Sequence, residues 1–338
     1  MKTQLKYGVI LANTGTPAAP TPRAVRGYLS QFLMDRRIAP MNRAAWWLIL
    51  HLFILPRRSK ASAEKYEAVW TDEGSPFMVA HERLCAGLQR AYAKDAAAPE
   101  VVVAPGMSFG TPSFASALKG LREAGCGRVV VLPLYPQSAY STTGSVRDAL
   151  VRARKRLGWD VEVDIIDNYH DNPLWARTVA ASIVQAGFDA AAGDRVLFSF
   201  HSIPLRDIEA GDSYELQCGA SSLQIANELG IDRKLWTIGY QCRFDKGREW
   251  LDPFTKDVLD RWAEAGVGRV FLVCPGFSVD CLETIYDVRF EMKSHYLKAC
   301  AALGNPAGED GFIPVPCLDR TWAHVRVVQN VLRPYLKE

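Results

Sequence analysis

The sequence predicts an α/β fold made of two similar domains, each with a parallel sheet flanked by helices. Short runs rich in Val, Ile and Leu alternate with longer helical patterns along the chain. These runs lack polar–apolar alternation, which is typical of strands buried on both faces of a parallel sheet. We expect strands at 7–13, 101–104, 128–134, 161–166, 195–200, 235–239 and 269–274, and helices at 113–124, 145–157, 173–187, 214–229 and 255–265.

An internal repeat is the second observation that predicts two domains. "AGCGRV" (124–129) and "AGVGRV" (265–270) match at five of six positions, each between an expected helix and an expected strand. "VILANTGTP" (9–17) and "VLFSFHSIP" (196–204) each combine an apolar strand, a polar residue, a turn and a proline. The repeat favours duplication of one α/β unit, although parallel strands also resemble one another by composition alone.

Composition excludes several classes of protein. Of the 338 residues, 49% are hydrophobic and 23% charged, with a net charge of +3 and no dense Lys/Arg run. We therefore expect no nucleic-acid partner. The eight cysteines form no C-x-x-C pair, and the opening residues lack a signal-peptide pattern. We expect a cytoplasmic protein whose thiols are mostly reduced.

The segment "AAWWLILHLFIL" (44–55) is nearly all apolar. Its twelve residues are too few to span a bilayer, which takes about 20. Basic residues flank it on both sides. The segment is either a buried core helix or an exposed apolar lip that touches a membrane surface or an apolar ligand.

Two titratable residues follow expected strands of the second half. His201 comes directly after the strand 195–200, and Glu283 lies in "CPGFSVDCLETIYD" (274–287), after the strand 269–274. Ligands of open α/β sheets bind beyond the carboxyl ends of the strands. If both strand ends face one cleft, His201 and Glu283 form a pair for proton transfer or metal binding. Asp280 is better explained as an acidic group at a helix start.

Hydroxyl groups are concentrated in "PLYPQSAYSTTGS" (133–145). This segment is either the polar wall of a ligand site or a loop that leads to a capped helix. "NTGTP" (13–17) matches neither the G-x-G-x-x-G nor the G-x-x-x-x-G-K-[ST] pattern, so nothing supports a nucleotide site.

Five segments, taken in order, resemble the motifs of the ferrochelatase family, enzymes that insert ferrous iron into a porphyrin. The resemblance runs nearly end to end, through "ILANTGTPAAPTPRAVRGYLSQFLMDRR", "PLYPQSAYSTTGS", "SFHSIPLRDIEAGDSYELQC", "YQCRF…EWLDPFT" and "CPGFSVDCLETIYD". It implies two Rossmann-like, chelatase-type domains with the porphyrin in the cleft between them. We expect an N-terminal domain at 1–168 with a porphyrin lip at 36–60, a C-terminal domain at 169–304, and a segment 305–338 that packs back on the first domain.

The resemblance also implies an activity. We expect a lyase of haem biosynthesis that inserts Fe²⁺ into protoporphyrin IX and releases two protons, with coproporphyrin III as the alternative substrate. The family's His and Glu, credited with iron binding and uptake of the pyrrole protons, fall on His201 and Glu283. The expected substrate contacts are Thr14, Tyr135, Tyr140, Ser141, Thr142 and Asp280. We expect the segment 44–55 to form the apolar rim of the porphyrin site and to offer a peripheral contact with a membrane.

Iron is a substrate here, and we expect no permanently bound cofactor. We predict no iron–sulfur cluster, because the C-terminal cysteines are widely separated and none follows Cys317. The chain departs from the family pattern at Ser202, Ser213, Cys242 and Asp245. Two rival functions are a cobalt or nickel chelatase for a carboxylated tetrapyrrole, and a non-catalytic haem-binding protein.

Overall fold

A computed structural model describes residues 5–241, 243, 245, 247–305, 307–319 and 321–336. The chain forms two compact units, Met1–Asn168 with Arg320–Glu338, and Tyr169–Asp319. Each unit contains a four-stranded parallel sheet with helices packed against it. The predicted fold class, two α/β domains with parallel sheets, is confirmed.

The first unit is built around a buried central strand. Its strands are β1 (Tyr7–Asn13), β2 (Val101–Met107), β3 (Arg128–Pro133) and β4 (Glu162–Ile165), in the order β2-β1-β3-β4. All seven residues of β1 are buried, and β2 and β3 pair with it on either side. Its helices are α1 (Pro22–Leu33), α2 (Arg43–Ile49), α3 (Leu55–Val69), α4 (Pro76–Lys94), α5 (Phe114–Glu123) and α6 (Thr143–Leu157).

The second unit has the same strand order. Its strands are β5 (Arg195–Phe200), β6 (Trp236–Tyr240), β7 (Val270–Val273) and β8 (Phe312–Pro314), in the order β6-β5-β7-β8. Its helices are α7 (Pro173–Gln185), α8 (Leu205–Glu209), α9 (Tyr214–Leu229), α10 (Thr255–Glu264) and α11 (Lys293–Ala302).

The sequence repeat coincides with a repeat in structure. "AGCGRV" leads from α5 into β3 and "AGVGRV" leads from α10 into β7, and each of these strands pairs with the central strand of its sheet. Gly125 and Gly266 have φ of 78° and 72°. Both turns therefore need the left-handed conformation that glycine adopts without strain.

The C-terminal segment differs from our expectation for 305–338. The strand β8, which the sequence did not predict, pairs with β7 and belongs to the second unit. Beyond it, α12 (Trp322–Leu332) packs against α4 in the first unit. The segment is therefore divided between the two units.

The apolar segment 44–55 lies largely at the surface rather than in the core. It forms α2, a π-helical stretch Leu50–Ile54 and the start of α3. Leu50 and Leu55 are buried, whereas Trp47, Leu52 and Phe53 are 49%, 61% and 60% exposed. The structure thus favours the exposed lip over the buried core helix. No helix of the described residues is long and apolar enough to cross a membrane.

Candidate functional site

His201 is the first residue after β5, and it is half-buried. Its Nδ1 lies 2.6 Å from the backbone carbonyl oxygen of Ser202. Since a carbonyl oxygen can only accept, Nδ1 carries the proton and donates this hydrogen bond. In the neutral imidazole the lone pair is then on Nε2, for which the described residues supply no hydrogen-bond partner. The side chain is arranged to accept a proton or bind a metal through Nε2.

Glu283 begins a ten-residue π-helix, Glu283–Met292, which continues into α11. π-helices are rare and are often found at functional sites. The thiol of Cys281 donates a hydrogen bond to Glu283 Oε2 over 3.0 Å. Burial, followed by the nearby Glu283 charge, raises the pKa of this thiol well above its usual value. Cys281 is therefore a protonated donor that holds one oxygen of the Glu283 carboxylate.

Asp280 is buried, and its carboxylate is surrounded by hydrogen-bond donors. Oδ1 accepts from the Thr284 hydroxyl over 2.8 Å and from the Cys317 N–H over 3.4 Å, and Oδ2 pairs with the Arg289 guanidinium. Asp280 therefore connects Thr284 and Arg289 of the π-helix to Cys317, in the segment that follows β8. This arrangement supports a positioning role, and the substrate contact expected for Asp280 stays a prediction.

His201 and Glu283 each follow one of two neighbouring strands. The strands β5 and β7 are parallel neighbours, with Phe198 opposite Val273. His201 follows β5 directly, and Glu283 follows β7 after the nine residues 274–282, which include the turn at Pro275. Within the described part of the chain, no group of three or more His, Cys, Asp or Glu side chains is placed to hold a metal ion.

Two of the predicted substrate contacts lie together in the first unit. The Thr14 hydroxyl, just after β1, is hydrogen-bonded to the Tyr135 hydroxyl, just after β3. Gly15 follows Thr14 in the loop after β1. Its φ is 100°, and a Cβ there would lie 2.0 Å from the Phe109 carbonyl oxygen. The loop that carries Thr14 thus passes too close to the Phe109 backbone for any residue but glycine at position 15.

The remaining predicted contacts precede α6. Tyr140 is exposed, and Ser141 and Thr142 are half-buried. Thr142 occupies the N-cap position, yet its hydroxyl donates to the Ala139 carbonyl over 3.4 Å and does not cap the helix. The hydroxyl groups of this segment are therefore not consumed by helix capping, and their role toward a substrate stays a prediction.

Three of the four departures from the family pattern lie in the described chain. Ser213 precedes α9 and accepts a hydrogen bond from the Gln217 side chain. Asp245 accepts from the Gly247 N–H over 2.9 Å and pairs with Arg248. The buried Ser202 hydroxyl donates to the Leu251 carbonyl over 2.9 Å. Cys242 lies outside the described residues.

Sequence reasoning missed Cys281 and Arg289 as partners of the two acidic residues. Cys281 lies in the same "CLET" segment, two residues before Glu283, which is the only signal the sequence offers. Arg289 is nine residues from Asp280, a spacing that a regular α-helix would not bring together.

Comparison with known proteins shows to which family the chain belongs. A family model for ferrochelatase matches residues 6–335. The chain belongs to the ferrochelatase family. It is 37% identical to a ferrochelatase of Nitrosococcus oceani over 99% of this chain and 88% of that protein. It is 38% identical to a ferrochelatase of Klebsiella pneumoniae over 98% of this chain and 99% of that protein.

Solved structures agree with the fold of a ferrochelatase. SirB from Bacillus subtilis, solved with Fe³⁺, matches with a TM-score of 0.55 at 13% identity over 98% of this chain and 96% of that chain. A multi-domain Deinococcus radiodurans protein with structural similarity to chelatases matches with a TM-score of 0.52 at 14% identity, over 96% of this chain and 54% of that chain. The family assignment implies porphyrin and iron as the substrates and metal insertion as the reaction.

Proposed function

We propose that this ferrochelatase is a lyase that inserts Fe²⁺ into protoporphyrin IX, with His201 and Glu283 as its catalytic and metal-binding residues. The observation that supports the assignment of these two residues is that each follows the carboxyl end of one of the paired parallel strands β5 and β7. Thr14, Tyr135, Tyr140, Ser141 and Thr142 supply porphyrin contacts from the first unit.

The chemistry requires two proton acceptors. A free-base porphyrin carries two pyrrole N–H groups, and Fe²⁺ replaces both protons, so that the product is haem and two protons are released. His201 presents an Nε2 lone pair, since its Nδ1 donates to the Ser202 carbonyl. Glu283 presents a carboxylate with one oxygen held by Cys281. Each side chain can bind the entering metal weakly or accept one pyrrole proton.

The apolar lip supports the choice of protoporphyrin IX over coproporphyrin III. Protoporphyrin IX carries two vinyl groups where coproporphyrin III carries two further propionates, and is therefore the more apolar substrate. Leu52 and Phe53 expose apolar surface next to a basic flank that includes Arg57, Arg58 and Lys60. The same surface suits a peripheral contact with anionic lipid, which would bring the protein to a membrane without spanning it.

Steady-state iron insertion tests the proposed function. Anaerobic Fe²⁺ with protoporphyrin IX, coproporphyrin III and sirohydrochlorin would be compared at catalytic protein concentration, following absorbance. We expect multiple turnovers with the highest kcat/KM for protoporphyrin IX. A higher value for coproporphyrin III would overturn the substrate assignment, and insertion into sirohydrochlorin alone would overturn iron–porphyrin chemistry. Conversion that stops at one equivalent would indicate a haem-binding protein.

A further inference from the structure

Ser202 connects the catalytic histidine to a second segment of the chain. Its backbone carbonyl accepts the His201 Nδ1–H, and its own hydroxyl donates to the Leu251 carbonyl over 2.9 Å. Both Ser202 and Leu251 are buried. Ser202 therefore provides the carbonyl that accepts the His201 hydrogen bond, and its side chain anchors this carbonyl to the segment that contains Leu251.

Backbone hydrogen bonds reinforce the same attachment. Leu251 N–H donates to the Ile203 carbonyl, and Leu205 N–H donates to the Glu249 carbonyl, both over 3.0 Å. Pro204 and Trp250 form an antiparallel bridge between these hydrogen bonds. The segment after His201 and the segment 249–251 thus form a small antiparallel patch, to which the Ser202 hydroxyl adds one bond.

A second departure from the family pattern folds the segment that carries Leu251. Asp245 accepts from the Gly247 N–H and from Arg248 Nε over 2.7 Å, and its backbone carbonyl accepts from Trp250 Nε1 over 3.1 Å. These bonds hold Asp245 to Gly247, Arg248 and Trp250, next to and within the segment 249–251. Ser202 and Asp245 therefore stabilise the same antiparallel patch. Ser202 belongs to the segment after His201, and Asp245 binds residues just before and within the segment 249–251.

We propose that Ser202 is a positioning residue for iron insertion, an inference that rests on the proposed function. Its hydroxyl fixes the carbonyl that receives the His201 Nδ1–H, and this fixes the imidazole orientation that presents Nε2 to the metal. Hydrogen bonds to the non-ligating nitrogen orient metal-binding histidines in this way. The Ser202–Leu251 hydrogen bond is therefore the tether that limits movement of this carbonyl.

Ser199 provides a matched control for Ser202. It lies in β5, two residues before His201, and is equally buried. Its hydroxyl makes a hydrogen bond of 2.8 Å to the Thr255 hydroxyl, on another element. Ser199→Ala and Ser202→Ala each delete one buried hydroxyl of similar surroundings, but only Ser202 holds the histidine's acceptor.

The experiment compares Ser202→Ala, Ser202→Gly, Ser199→Ala and His201→Ala. We expect both Ser202 variants to raise the KM for Fe²⁺ about three- to tenfold, with the KM for porphyrin unchanged. Co²⁺ affinity, followed by its absorption spectrum without porphyrin, falls by the same factor. Ser199→Ala changes neither quantity, although its thermal midpoint falls as far as that of Ser202→Ala. Ser202→Gly carries the residue of the family pattern and keeps the test valid if Ser202→Ala folds poorly.

The outcomes separate this inference from the proposed function. Ser202 variants that match Ser199→Ala in Fe²⁺ KM and Co²⁺ affinity, while His201→Ala is inactive, overturn the positioning role alone. If His201→Ala retains full iron insertion, the proposed catalytic assignment fails, and the inference fails with it.

Discussion

The Cys281 thiol donates a hydrogen bond to Glu283 Oε2 over 3.0 Å, which ties the candidate proton acceptor to the residue two positions before it. We expect Cys281→Ala to lower kcat for iron insertion about fivefold, since a net hydrogen bond is worth about 1 kcal/mol. Cys281→Ser retains a donor and should stay near the wild-type rate. Steady-state kinetics with Cys126→Ala as the distant buried control tests this, and equal rates for Cys281→Ala and the control would contradict it.

Gly15 lies too close to the Phe109 backbone for a side chain, so its replacement should disrupt the first unit. A Cβ at Gly15 would lie 2.0 Å from the Phe109 carbonyl oxygen, at a φ of 100°. We expect Gly15→Ala to lower the free energy of unfolding by about 3 kcal/mol. Gly27→Ala in α1, where no atom lies within 4 Å of the added Cβ, should be neutral or slightly stabilising. Urea denaturation of both variants measures the difference, and similar stabilities would refute the packing argument.

His81 makes the stability of the first unit depend on pH. Burial, followed by the nearby His324, lowers the pKa of His81 from its usual 6.5 to about 3. The unfolded chain therefore binds a proton that the folded chain does not, and stability falls as pH drops through 6.5 toward 3. Between pH 6.5 and pH 5 the expected loss is about 2 kcal/mol.

The change His81→Leu should remove this contribution. Urea denaturation at the two pH values measures the loss, with hydrogen exchange of the α4 amides identifying the transition of the first unit. An equal loss in the variant and the wild type would show that other groups control the acid response.

The exposed lip should control binding to lipid. Leu52 and Phe53 are 61% and 60% exposed, so changing both to Ser should leave folding intact. We expect the double variant to bind vesicles containing anionic phosphatidylglycerol about tenfold more weakly. Leu216→Ser, at a residue 78% exposed in α9, is the control and should bind as the wild type does. Sedimentation with vesicles checks this, and undiminished binding of the double variant would remove the lip from membrane contact.

The sequence predicts the strands of this protein well because burial on both faces leaves a direct signal. The predicted strand 195–200 coincides with β5, and 7–13 coincides with β1. β8 was missed because a run of only three residues that ends in Pro314 carries no periodicity. The five predicted helices match α5, α6, α7, α9 and α10 to within two residues at each end, because their apolar faces repeat regularly. The other helices were not predicted.

The site is predictable only in part. His201 and Glu283 can be found from their places after apolar strands and from the family motifs. The sequence of the π-helix that begins at Glu283 has no pattern that distinguishes it from an α-helix. The ion pair between Asp280 and Arg289 could therefore not be predicted. The Ser202–Leu251 hydrogen bond joins residues 49 positions apart, and only the folded chain brings them together.

Steady-state insertion of Fe²⁺ into protoporphyrin IX by wild type, His201→Ala and Glu283→Gln tests the central assignment most directly. The wild type should turn over many equivalents of porphyrin per protein. Each variant should lose activity by at least about 100-fold, while its circular dichroism spectrum and thermal midpoint stay close to those of the wild type. A folded His201→Ala or Glu283→Gln variant that inserts iron at the wild-type rate would contradict the assignment.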